Sequence, residues 1–297
     1  IGNYKWIDIN ENGIQELEEF EIAQFEDEGI YIRVMLPNQK FIKTYQNKFS
    51  QSLNINFKKW AKDNLKFKKI LAHFQNQTQY LIQKQSTQDN NEFDLNPFKI
   101  SSSNLLGLVM NLRNSLYFNR GKQLYSTTYN FINNRSKNTL SFGYVENELL
   151  SHQISFNHKL KNILFSSSAF YDNRKSESEN FESKNYNFNE IKYGPKFTYF
   201  IEDSNKIDLY YQYSNTKNII GSLETLTQNK FGISTNFSNK NAVSVNGELN
   251  YYKNNFQGNP NSIIGYIMME GLQPGNNLTW SLSIQKKITK FVDLNLN

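Results

Sequence analysis

"SHQISFNHKL", residues 151 to 160, carries the reading of the chain. His152, Ile154, Phe156, His158 and Leu160 fall on one side, and Gln153, Ser155, Asn157 and Lys159 on the other. A period of two is a β-strand with one apolar and one polar face. The pattern returns in "NKFGISTNFS" (229–238) and in "NLTWSLSIQKKI" (277–288), where Leu278, Trp280, Leu282, Ile284 and Ile288 oppose Thr279, Ser281, Ser283 and Gln285.

Twelve such segments are predicted, over 43–57, 66–84, 104–119, 122–133, 149–160, 162–174, 185–202, 206–217, 225–238, 241–253, 277–288 and 290–297. Most are longer than the five or six residues usual in soluble proteins and long enough to cross a bilayer at a tilt, which takes roughly 9 to 11 residues. Short connections at 119–122, 160–162, 202–206, 239–241 and 288–290 alternate with long ones at 134–148, 175–184, 218–224 and 254–276. That asymmetry belongs to outer-membrane barrels, whose turns are periplasmic and whose loops are extracellular. It also makes "SIIGYIMMEGL" (262–272) part of a long outer loop rather than a strand. The predicted fold is therefore all-β: an antiparallel transmembrane-type β-barrel of about 12 visible strands over 43–297, part of a larger barrel and truncated at both ends, behind a short mixed segment over 1–42.

Composition agrees with a wet-lumened barrel. Tyr and Phe number 18 and 23, while mean hydropathy is only −0.68. A polar lumen reconciles the two, with rings serving as interfacial girdles and residues such as Gln153, Asn157, Ser234, Asn236, Ser281 and Ser283 facing inward. Asn makes up about 15 % of the chain, which favours turns and wetted strands. A lipocalin-like or jelly-roll alternative would have to bury that polar face in a dry core. No cysteine is present, which removes disulfides and thiolate chemistry. His152 and His158 lie roughly 20 Å apart along a strand at about 3.3 Å per residue, too far to share a metal, and neither they nor His73 belong to a ligand motif. There is no G-x-S-x-G, H-E-x-x-H or Walker loop, so the chain reads as not an enzyme. The basic residues are scattered through turns, which argues against nucleic acid as a partner. A second reading is a surface adhesin or polysaccharide-binding module, with Tyr210, Tyr211, Tyr213, Tyr251 and Tyr252 stacking on sugars.

The first 30 residues differ from the rest, with nine carboxylates against one Lys in a chain whose overall charge is +6. Within them Asp8 to Glu19 fits the calcium template D-x-[DN]-x-[DN]-G-x5-E. Asp8, Asn10 and Asn12 would offer side-chain oxygens, Ile14 its carbonyl and Glu19 a bidentate carboxylate, with Gly13 making the sharp turn. Two carboxylates among these ligands imply weak, structural Ca²⁺ binding, and an exit helix is predicted over Glu16 to Phe25.

The runs "YKWIDINENGIQELEEFEIAQFEDEGIYIRVMLPNQKFIKTYQNKFSQSL" (4–53) and "IMMEGLQPGNNLTWSLSIQKKITKFVDLNLN" (267–297) resemble the C-terminal region of large, mostly uncharacterised outer-membrane β-barrel proteins of Bacteroidota, of the flavobacterial type. The resemblance implies an outer-membrane location, lipid and other envelope proteins or glycans as partners, and a longer parent chain. It implies no activity.

Overall fold

The structure, a computed structural model, describes residues 2, 4–9, 11, 13, 15, 19–23, 25, 27–32, 42–88, 104–122, 124–140, 143–201, 205–239, 243–289 and 292–296. Two compact units result, 1–43 and 44–297.

In the first unit β1 (Tyr4–Trp6) pairs antiparallel with β2 (Phe20–Ile22), and Tyr4 also bridges to Tyr31. The helix expected over Glu16 to Phe25 is corrected by β2. Phe20 faces Trp6 across the pair and packs edge-on against the Tyr31 ring, a contact made from an extended strand. Gly2 is required where it stands, because a Cβ there would lie 2.3 Å from the carbonyl oxygen of Tyr31.

The second unit is a twelve-stranded antiparallel meander in which β3 to β14 follow one another in sequence order. They are β3 (Thr44–Asn56), β4 (Phe74–Thr87), β5 (Leu105–Phe118), β6 (Tyr125–Leu140), β7 (Gly143–Leu160), β8 (Ile163–Ser178), β9 (Tyr186–Phe200), β10 (Lys206–Asn218), β11 (Thr225–Asn239), β12 (Val243–Gln257), β13 (Gly275–Thr289) and β14 (Val292–Leu296). The number of strands agrees with the alternation, and three boundaries do not. The expected strand over 66–84 begins only at Phe74, because Lys66–Leu71 forms the helix α1. Phe67, Ile70 and Leu71 recur there at helical spacing, and Asp63 accepts the Leu65 N–H at its start. The expected long loop at 134–148 is a continuing hairpin, with β6 and β7 paired as far as Leu140 opposite Gly143. The 175–184 loop is shortened by β8, which runs to Ser178. The 262–272 run is a loop, as expected, and holds the short helix α2 (Ile263–Met268).

The ladder stacks residues into rows. Tyr125, His158, Phe165, Phe197, Leu209, Ile233, Leu249 and Trp280 are successive cross-strand partners on one face. That face is left to the surroundings, with Trp280 74 %, Leu278 63 % and Phe231 53 % exposed. An apolar face of this extent is not tolerated on a soluble monomer and is what a barrel turns toward lipid. Along β7 the band runs from Leu160 to Leu150 and gives way to Glu148 and Glu146. Ten residues at about 3.3 Å, tilted as barrel strands are by 35–45°, make a band of roughly 25 Å, the height of an outer-membrane apolar belt.

Beyond the band the β6–β8 ribbon is ionic. Arg135 meets Glu146 at 2.5 Å and Glu148 at 3.0 Å, and Lys175 meets Glu177 at 2.8 Å. These charges read as a loop in the sequence, yet their cross-strand pairing is what extends the hairpin past the apolar band. The sheet is all-β and of transmembrane-barrel type, and it is open rather than closed. Among the described residues β3 and β14 do not pair, and the five residues of β14 cover only part of β13.

Candidate functional site: the polar face of the sheet

The opposite face places Lys159, Leu164, Thr198, Asp208, Ser234, Glu248 and Ser281 in one row, and Ser151, Asp172, Glu190 and Thr216 in another. Parity alone puts these side chains on the face away from the apolar band. Three carboxylates there are held by cross-strand hydroxyls, and two of them also by cations. Asp208, 4 % exposed, accepts from Thr198 and pairs with Lys196 at 3.1 Å and Lys206 at 3.7 Å. Glu190, equally buried, accepts from Thr216 at 2.9 Å and Arg174 at 2.9 Å, and pairs with Lys192 at 3.0 Å. Asp172 accepts from Ser151. Asp208 and Glu190 are tolerated out of water because each has several partners.

Tyr210 reaches across a neighbouring strand on this face. Its ring lies over Gly232, where a Cβ would sit 2.2 Å from Tyr210 Cζ, and its hydroxyl donates toward Glu248 at 2.8 Å and Asn250 at 2.6 Å, two strands away. Lys230 stands 5.4 Å from the same ring. Beside it the β9–β10 ladder lapses, since Pro195 has no N–H to offer and Gly194 brings its backbone against the Tyr211 carbonyl. A cleft of about 600 Å³ opens at this lapse, with Gln153, Phe170, Asp172, Lys192, Lys196 and Tyr210 among its lining residues. It offers donors, acceptors and two rings in a mixed-charge setting, suited to passing or holding polar solutes.

The structure separates several residues that the sequence grouped. Tyr210 and Tyr252 lie on the polar face while Tyr211, Tyr213 and Tyr251 lie on the apolar one, so the five make no common stacking platform. His152 shares a hydrogen bond of 2.8 Å with Tyr129 Oη and sits near one end of the band, while His158 lies in the row near its other end. His73 contacts Asn119 at 2.6 Å. Among the described residues no three His, Cys, Asp or Glu side chains gather as a metal site.

Of the calcium template, Asn10, Asn12 and Ile14 lie outside the described residues. Asp8 accepts the Gly13 N–H at 2.8 Å, with Gly13 at φ +70°. Glu19, 3 % exposed, accepts from the Trp6 indole at 2.7 Å and from the Ile9 N–H at 3.2 Å. The turn thus closes Asp8 and Glu19 onto one short loop.

No protein family matches the chain, and no curated protein matches it. Among solved structures it is similar to a loop L8 deletion mutant of OmpT, an outer membrane protein of Vibrio cholerae, at 13 % identity and a TM-score of 0.37, covering 69 % of this chain and 60 % of that one. In-vitro folded OmpT of the same organism is similar at 8 % identity and a TM-score of 0.27, over 72 % of this chain and 87 % of that one. The chain thus spans 60 % of the length of the first of these structures. Likeness of this degree assigns no activity. The expectation of a non-enzyme is nonetheless corrected by the same finding, because likeness to OmpT gives no licence for declaring the wall free of catalysis.

Proposed function

We propose that this chain forms part of the wall of an outer-membrane β-barrel with a wet, charged interior, and that its role is passive passage of small polar solutes along the polar face. The observation that supports the reading is the segregation of the two faces. A row of eight apolar or aromatic partners crosses the sheet from Tyr125 to Trp280, one residue out of step with the row that carries Asp208 and Glu248. In lipid the ladder satisfies the backbone, the apolar row meets acyl chains and the polar row keeps water.

The test is extraction of the full-length protein from cell envelopes. Resistance to carbonate, solubility in detergent and a heat-dependent shift in gel mobility are expected. Release by carbonate as an unshifted species would overturn the reading.

The Asp8–Glu19 loop is proposed to bind Ca²⁺ weakly, at about 10⁻⁴ to 10⁻³ M, the range of extracellular modules. Its supports are the template spacing, the Asp8–Gly13 bond and the positive φ of Gly13. Coordination draws Glu19 away from the Trp6 indole. With Trp60 and Trp280 changed to Phe, Trp6 emission should therefore shift on millimolar Ca²⁺ and stay unmoved in Glu19→Gln. An unresponsive Trp6 together with absence of calorimetric heat would remove the site.

A further inference from the structure

The connection between β12 and β13 does not stand away from the sheet. Ile264, Met268 and Met269 pack against Phe188 and Leu226, and Met269 is 1 % exposed. Phe188 is in the row of Arg174, and Leu226 in the row of Glu190 and Thr216, so both belong to the polar face. The side chain of Asn254, on the same face, donates to the Gln273 carbonyl at 3.1 Å and ties down the returning arm. Ser262 caps α2 by accepting the Gly265 N–H at 3.0 Å. Gly265 is required, since a Cβ would lie 2.6 Å from the carbonyl oxygen of Asn259.

Neighbouring connections at the same end are knitted in. The Asn218 side chain accepts the Asn187 N–H at 3.1 Å and donates to Glu224 at 2.8 Å, joining the β8–β9 end to the 219–224 turn. Gly258, at φ +143°, lets the chain pass the Glu224 side chain, where a Cβ would be 2.7 Å from its Cγ.

We infer that residues 258–274 form an inward-folded constriction at one mouth of the barrel, held by apolar packing on the polar face and limiting the size of solute that passes. This rests on the barrel reading. Phe188 and Leu226 are apolar side chains on the polar wall, and they serve as the seat for a helix. The charges met beneath that seat are Arg174, Glu190 and Lys192.

The experiment uses the full-length protein in planar bilayers, with polyethylene glycols of graded size as probes of the bore. Ile264→Asp with Met268→Asp, or replacement of 260–272 by a Gly-Ser linker, should raise single-channel conductance at least twofold and admit larger glycols. A heat-shifting variant with unchanged conductance and exclusion would overturn the inference and leave the barrel reading intact. Failure of the unaltered protein to resist carbonate or shift on heating would instead overturn the barrel. Since the chain has no cysteine, a labelling test covers variants that fail to assemble. Met269→Cys should react with an impermeant maleimide at least tenfold more slowly than Tyr266→Cys, the tyrosine there being 66 % exposed. Equal rates would sink the constriction.

Discussion

At Gly232 the missing side chain is what allows Tyr210 to cross a neighbouring strand and hydrogen-bond in β12. Gly232→Ala drives a methyl into that ring, and Tyr210 must give up its bonds to Glu248 and Asn250. A loss of about 1–3 kcal/mol is expected from urea unfolding in lipid or detergent, the usual scale for buried bonds left unmade. In a Tyr210→Ala background the same change should cost less than half as much, and equal costs would break the proposed coupling.

Outside the band, the Asp63 carboxyl is held below its ordinary value of 3.8 chiefly by a hydrogen bond from Lys68 and then by the Leu65 N–H. A folded value below the unfolded one contributes stability that is complete above about pH 4 and is lost as pH falls through the lower folded value. Asp63→Asn should abolish that acid dependence of the α1 turn, followed by hydrogen exchange at Leu65 to Ala72. A profile unchanged by the substitution would remove the role given to Asp63.

Among the elements, the strands were the legible part, because a face against lipid and a face against water impose a period of two that nothing else in this chain imitates. "KFKKIL" escaped because Phe67, Ile70 and Leu71 satisfy a helical spacing within a run too short to override its strand-like surroundings. The β6–β7 extension escaped because Arg135, Lys137, Glu146 and Glu148 look like loop residues until they are seen paired across two strands. The polar site was legible only as a face. Alternation placed Ser234 inside, but singling out Asp208 and Glu190 as its anchors needs the register that brings Thr198 and Thr216 beside them. The buried seat for α2 had a signal in "SIIGYIMM", whose apolar run is too dense for a solvated loop.

Face assignment makes its own prediction. Leu209→Lys puts a charge into the lipid band and should cost about 2–4 kcal/mol in unfolding from bilayers, while Ser234→Lys, beside Asp208, should cost less than about 1. Similar costs for the two would mean the faces are misassigned.

Across the whole sheet, the exposed feature is its edge. Among the described residues β3 and β14 end the sheet and do not pair with each other, and β14 lies opposite only Ile284 to Thr289 of β13. In hydrocarbon each unsatisfied group costs several kcal/mol, so a sheet with these edges resides in lipid only when strands close them. Amides of Thr44–Asn56 pointing away from β4 should therefore exchange as slowly in bilayers as ladder amides do. Exchange at loop rates there would count against membrane residence.

Because, among the described residues, each strand from β3 onward pairs only with the strands before and after it in the chain, a wall of this kind that closes with every pair antiparallel has an even number of strands. Excising one hairpin leaves every survivor antiparallel to its new neighbour with its lipid side still outward. Excising a single strand would set two parallel strands side by side across a turn too short to join them. The bore can therefore widen or narrow by copying or losing hairpins two strands at a time, without rewriting the residues that remain.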